Sequence, residues 1–287
     1  TCREMSAAHP FDATTGMGYT GIHAADRGLC KKTSSMGNQP SNPQIPECTL
    51  MPEKTKAVLI SGGNQGIGLS IARIFARETA YPLLLIARNE EKLREAAGQL
   101  KQEGATEVHI IPTDLTDEQQ VKAIRLPEHL QVQVLINNAG YFLYGSLQET
   151  DAIEFSRQFE LNTLTAYHLT SRFLPELKKQ ERGYIINICS RASLEGNHDA
   201  GAYTMAKHAL LGYTRSLRQE LLKSGIAVTA INLGQTWSPS WDGLDVDPER
   251  LIDPEDVGRI ALMLTRLTPQ TVVEEILMMP QQGELER

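Results

Sequence analysis

The stretch GAYTMAKHAL, residues 201–210, sets Tyr203 and Lys207 four positions apart in a helical pattern. Four residues make about one turn, so both side chains project from one face. Unperturbed tyrosine, with a pKa of about 10, is a poor acid–base group near neutrality. An ammonium beside it favours the phenolate and would let Tyr203 pass a proton at neutral pH. Tyr-x-x-x-Lys also occurs as plain helix surface, so the rest of the chain has to decide between the two.

A second set of residues suits a nucleotide. In SGGNQGIGLSIA, residues 61–72, Gly62, Gly66 and Gly68 have the spacing Gly-x-x-x-Gly-x-Gly. Glycines there permit a tight turn, let the backbone approach a pyrophosphate, and open the amides of the following helix to it. The loop lies between an apolar run and an amphipathic pattern, the context that separates a nucleotide site from a flexible turn. The next apolar run ends LLLIARNEEKL, with Ala87 and then Arg88. An NAD site places an acidic residue about 20 positions on, against the ribose hydroxyls. Here no carboxylate repels a 2′-phosphate and Arg88 offers a fork of donors to grip one, so NADP(H) is the expected cofactor.

These groups need a scaffold. Near-continuous apolar runs at 57–61, 82–87, 107–111, 132–137, 184–189, 227–232 and 274–279 read as strands buried on both faces. Helical stretches such as 66–79 and 89–104 separate them. The alternation predicts an α/β fold: a single Rossmann-type, doubly wound domain over 51–287, with a seven-stranded parallel sheet flanked by helices. Residues 1–50 are rich in Gly, Ser, Thr, Asn and Pro and lack either period, which reads as a disordered N-terminal extension. Met51 then stands as a candidate natural start.

Composition narrows the function. With 41% hydrophobic and 22% charged residues the chain is an ordinary globular protein. A net charge of −7 argues against a general nucleic-acid binder, and no run reaches the roughly 18 apolar residues of a membrane span. Cys2, Cys30, Cys48 and Cys189 have no zinc-site or redox spacing, and the seven histidines form no His-x-x-x-His pair. The reading is a cytoplasmic protein with free thiols and no metal site.

Taken in order, SGGNQGIG (61–68), TDLT (113–116), NNAG (137–140), Asn162, Ser190, Tyr203 and Lys207 resemble the short-chain dehydrogenase/reductase family over residues 55–283, with Ser190 thirteen residues before Tyr203. The resemblance implies a catalytic tetrad. Ser190 would hydrogen-bond the substrate carbonyl, and Tyr203 would donate a proton to its oxygen. Lys207 would bind the nicotinamide ribose and lower the tyrosine pKa. Asn162, at a distortion of its helix, would hold a water linking Lys207 to solvent. For the cofactor, the resemblance points to Ser61, Gly62, Asn64, Gln65, Gly66, Ile67 and Gly68 in the loop and to Arg88 at the strand end. Asp114 and Leu115 would meet the adenine, with Asp114 alternatively a helix cap. Asn138 would brace its strand, while Ala139 and Gly140 leave room for the adenosine ribose. Gly234, Thr236 and Ser238 would border the nicotinamide carboxamide, although Leu233 stands where the family often has proline.

The last fifty residues resemble the bacterial sepiapterin-reductase-type branch. Trp237 and Trp241 could clamp a flat substrate by stacking or simply pack a lid. Tyr141, with Phe142 and Tyr144, would line the other wall, and Asp242 or Asp245 are further candidates for a polar contact. The expected activity is NADPH-dependent reduction of a small ketone or diketone. The alternatives are a 3-oxoacyl thioester reductase or alcohol dehydrogenase on the same tetrad, and a cofactor-sensing binding protein. Surplus apolar positions on the helices around 151–178 and 202–223, with the resemblance, imply a homodimer or homotetramer.

Overall fold

The computed structural model describes residues 53–285. The readings of residues 1–50 and of Met51 as a start fall outside them. Seven strands form one parallel sheet: β1 (Thr55–Ser61), β2 (Leu83–Ala87), β3 (Val108–Pro112), β4 (Leu130–Asn137), β5 (Gly183–Ser190), β6 (Ile226–Leu233) and β7 (Glu275–Met278). Their order is β3-β2-β1-β4-β5-β6-β7, so the winding reverses between β1 and β4. In open α/β sheets a ligand crevice opens at such a point, beyond the carboxyl ends of the strands.

The inner apolar runs become strands because both faces of the sheet are covered there. The edge strands β3 and β7 are partly exposed, contrary to the expectation of burial on both faces, because each has a neighbour on one side only. Alternate residues of one strand enter opposite layers: Val58 and Ile60 join one core cluster, Ala57 and Leu59 the other. The first layer is closed by α1 (Gly66–Glu78), α2 (Glu90–Gln102) and α7 (Pro254–Thr265), through residues such as Phe75, Leu93 and Val257. The second is closed by α3 (Glu118–Ala123), α5 (Thr165–Leu177) and α6 (Gly201–Glu220), through Val121, Phe173 and Leu217. Phe75 and Phe173 are fully buried, and truncating such a side chain to alanine costs about 3–5 kcal/mol. The short α4 (Ala152–Phe159) leads into α5.

A polar seam crosses the second layer and fixes the helices that carry the site. Asn137 Nδ2 donates to Thr170 Oγ1 at 2.9 Å and to Asn187 Oδ1 at 2.8 Å, and Asn187 Nδ2 donates to Thr214 Oγ1 at 2.8 Å. The seam therefore ties β4 and β5 to α5 and α6. Buried amide N–H groups that find these partners favour this placement of the helices, because another would leave those donors unpaired. Among the described residues no helix is long and apolar enough to cross a membrane.

Candidate active site

A cleft of about 1040 Å³ runs along the carboxyl ends of the strands. At one end it is floored by the turn after β1. Gly62 and Gly66 have φ of +64° and +54°, values that only glycine adopts freely. Gly68 serves packing: a Cβ there would sit 2.2 Å from the Gly62 carbonyl oxygen, so α1 closes directly onto the loop backbone. Gly62, Asn64, Gln65, Gly66 and Ile67 line the cleft. Ser61 and Gly68 lie behind it. Ser61 Oγ accepts from the backbone N–H groups of Asn138 and Ala139, both at 2.9 Å, and Asn138 Nδ2 donates to the Ser61 carbonyl at 3.0 Å. The ends of β1 and β4 are thus sewn together.

The start of α1 is prepared for an anion. Side chains of Asn89, Asp117, Asp151 and Asp253 cap α2, α3, α4 and α7. Helix α1 has no side-chain cap and no acid in its first turn. Its first amides and the positive end of its dipole are left for a ligand in the cleft. Arg88 and Lys92 line the wall beside it, and Lys92 Nζ donates to Gln65 Oε1 at 2.8 Å. Glu90 pairs with Arg94 and, like Glu91, does not line the cleft. This donor set fits a dinucleotide that carries an extra phosphate on its ribose.

Asp114 lines the cleft with Leu115, and its Oδ1 accepts from the N–H and hydroxyl of Thr116 at 3.0 and 2.7 Å. The cap of α3 is Asp117, which accepts from the amides of Gln119 and Gln120, so the capping alternative for Asp114 is overturned. Ala139 and Gly140 also line the cleft. A Cβ on Gly140 would fall 2.8 Å from Asn162 Oδ1 and 3.6 Å from Lys207 Nζ, so this glycine makes room for two side chains of the site itself.

Four residues from three elements meet at the centre. Asn162 lies in a π-helical turn, Glu160–Leu164, between α4 and α5. One wider turn there points its buried side chain inward. Thr163 Oγ1 donates to the Ala206 carbonyl at 2.7 Å and holds this turn against α6. Ser190 ends β5, and its Oγ accepts from Ala192 N at 3.1 Å. From α6, Tyr203 and Lys207 face the same cleft, with Lys207 Nζ 5.7 Å from the centre of the Tyr203 ring. Lys207 is buried and donates to the Ile188 carbonyl at 3.0 Å. An ammonium carries three protons, so two N–H directions remain for a sugar diol. Cys189 borders this floor, and burial pushes its thiol up to about 11.

On the substrate side, Phe142 packs edge-on against Tyr203 at 5.0 Å and against Tyr144 at 6.0 Å. Tyr141 and Trp241 also line the cleft. Trp241 is buried, with its indole N–H donating to the Thr236 carbonyl at 2.9 Å. Trp237 does not line the cleft, and neither does Asp242 or Asp245. The chain turns at Thr236, whose backbone bridges to Ile252, and the next residue is carried away from the cavity. A two-tryptophan clamp is therefore not formed. Gly234, Thr236 and Ser238 border the cleft.

Several lining residues escape sequence reasoning. Lys92 lies in the first turn of α2, four positions after Arg88, which stands before that helix. Arg191 directly follows Ser190. Glu284 and Leu285 had no signal, because folding alone brings the tail across: Arg191 pairs with Glu284 at 2.8 Å, and Gln235 exchanges hydrogen bonds with the Leu285 backbone at 3.1 and 2.7 Å.

Residues 56–247 match the family model for short chain dehydrogenase, and the chain belongs to that family. It is an oxidoreductase of the short-chain dehydrogenase class. An uncharacterized oxidoreductase of Staphylococcus aureus is 28% identical over 228 residues, covering 78% of this chain and 97% of the relative. A metagenomic short-chain oxidoreductase solved in complex with NADP is 27% identical, with a TM-score of 0.69, over 80% of this chain and 99% of that one. An alcohol dehydrogenase from the archaeon Thermococcus sibiricus, solved with 5-hydroxy-NADP, is 25% identical, with a TM-score of 0.72, over 82% and 100%.

Proposed function

We propose that this chain is an NADPH-dependent reductase that converts a carbonyl to an alcohol, with Tyr203 as proton donor. The observation that carries this reading is one cleft holding Tyr203, Lys207 and Ser190 at its centre and Arg88 beside an uncapped helix start. Bound there, the cofactor would supply a hydride to the carbonyl carbon. The protein positions the acceptor. Ser190 donates its hydroxyl proton as a hydrogen bond to the carbonyl oxygen, and Tyr203 transfers its proton to that oxygen as negative charge develops. Lys207 holds the ribose and faces the phenol, and Asn162 supports the water through which the proton is replaced. Arg88 and Lys92 grip the 2′-phosphate, which favours NADPH over NADH.

The substrate is a small ketone or diketone, with a sepiapterin-like pterin side chain the closest candidate. The aromatic wall of Tyr141, Phe142, Tyr144 and Trp241 supports a flat substrate, as does the character of the last fifty residues. The solved archaeal alcohol dehydrogenase keeps alcohol oxidation as the second reading, and a 3-oxoacyl thioester remains the third. Exposed Ile153, Tyr167 and Met205 on α4, α5 and α6 support association as a homodimer or homotetramer. The buried free thiol of Cys189 accords with a cytoplasmic setting.

The test is oxidation of NADPH by the full chain against sepiapterin, small diketones and a 3-oxoacyl thioester, repeated with NADH and with Tyr203→Phe. Turnover with NADPH that falls by at least about a hundredfold in Tyr203→Phe, with NADPH affinity kept, supports the proposal. Unchanged turnover in that variant overturns the role of Tyr203. Binding of NADPH without turnover of any carbonyl would leave a cofactor sensor.

A further inference from the structure

At the opposite end of the sheet, two histidines and a glutamate distant in sequence converge. Glu107 immediately precedes β3 and His109 lies within it, two positions on, so the two side chains leave one face of the edge strand. His129 immediately precedes β4, where its carbonyl accepts from Thr55 N at 2.7 Å and anchors its backbone. Glu107 Oε1 lies 2.5 Å from His109 Nε2 and 2.9 Å from His129 Nε2. One ligand atom from each residue falls within 4.8 Å of the other two. The imidazole rings stand edge to face, 6.4 Å apart.

We propose that Glu107, His109 and His129 form a binding site for a divalent first-row transition ion, with Zn2+ as its probe. Two imidazole nitrogens and one carboxylate oxygen are a donor set such ions accept, and hard oxygen-seeking Mg2+ and Ca2+ do not favour it. Bonds of about 2.0–2.1 Å to a tetrahedral ion place its ligands about 3.3 Å apart. The two Glu107 contacts open by less than about 1 Å, and the two imidazole nitrogens, at most 4.8 Å apart, close by up to about 1.5 Å through side-chain rotation. The three side chains are 33%, 34% and 58% exposed, so an ion reaches them from solvent and a water completes its shell. Bound there, it clips the edge strand β3 to the segment entering β4. Glu107 and Asp114 are seven positions apart along an extended segment, roughly 23 Å at the rise of a strand, so the site is remote from the cleft.

The full chain, stripped with a chelator, is titrated with Zn2+ by calorimetry and with Co2+ by visible absorbance, beside Glu107→Gln, His109→Gln and His129→Gln. Residues 1–50 also contain cysteines and histidines, so the readout is the difference between the parent and each variant. The expected result is a Zn2+ site in the parent that each variant weakens at least tenfold. The rise in thermal midpoint with Zn2+ disappears with it, and NADPH affinity is unchanged. Should a variant fail to fold, Zn2+ protection of His109 and His129 from carbethoxylation is mapped in the parent by mass spectrometry. Equal Zn2+ binding in parent and variants, absent protection, or no binding at about 0.1 mM would reduce the group to a hydrogen-bonded surface triad and overturn the site.

Discussion

Asn162 grips both backbone groups of Tyr141: its Oδ1 accepts from Tyr141 N at 3.1 Å, and its Nδ2 donates to the Tyr141 carbonyl at 2.7 Å. A side chain on α4–α5 thereby holds the loop that leaves β4 and forms the cleft wall. The same Nδ2 donates to the Gln158 carbonyl at 3.0 Å, so the amide is oriented from its own helix as well.

Asn162→Ala removes both partners of Tyr141 at once. The expected outcome is a loss of about 0.5–1.5 kcal/mol in stability, read from urea denaturation, since the part-buried hydrogen bonds to the Tyr141 backbone are lost. Turnover falls with it, because the wall beside Lys207 loosens. An unchanged denaturation midpoint would show that the loop holds itself.

Gly68→Ala drives a methyl group to 2.2 Å from the Gly62 carbonyl oxygen, which α1 can relieve only by moving off the loop. NADPH affinity is expected to fall at least about tenfold, equivalent to about 1.4 kcal/mol, with a lower thermal midpoint. Gly98→Ala is the matched control in α2. A Cβ there meets nothing within 4 Å, so it is expected to stabilise by about 0.5–1 kcal/mol through helix propensity. Similar behaviour of the two variants would refute the packing argument.

Arg88→Glu replaces a donor fork with a carboxylate at the end of β2. A charge-assisted hydrogen bond contributes about 1.5–3 kcal/mol, so the ratio of kcat/KM for NADPH over NADH is expected to fall by between about ten- and a hundredfold. Steady-state kinetics with both cofactors measures it, and an unchanged ratio would move phosphate recognition to Lys92.

Alkaline pH should destabilise the fold. Burial raises the Cys189 thiol to about 11 and the Tyr213 phenol to about 12. Both groups keep their protons in the native state where the unfolded chain has released them. Stability is therefore full below about pH 8 and declines as pH climbs toward the folded values. The urea midpoint is expected to fall between pH 8 and 11, and to fall less in Tyr213→Phe. Equal slopes for parent and variant would exclude Tyr213 as a source.

The sequence by itself determined the seven strands: the five inner ones are covered on both faces and so read as near-continuous apolar runs, and the edge strands β3 and β7 keep that pattern although they are partly exposed. Predicted strands at 57–61 and 184–189 differ from those observed by at most two residues at each end. It also determined the local devices. A glycine needed for a turn, a tyrosine one helical turn from a lysine, and an arginine at a strand end are all short-range patterns set by backbone geometry. Contacts between distant segments leave no such pattern, and only the tertiary structure decided them. Gly140 yields space to Asn162, Glu284 reaches Arg191, and Trp237 turns from the cleft while Trp241 lines it. The histidines carry no metal-type spacing in the chain. Yet the crossing of the sheet end by the segment before β4 brings His129 to Glu107 and His109, since chain path, not sequence separation, sets which donors can share an ion.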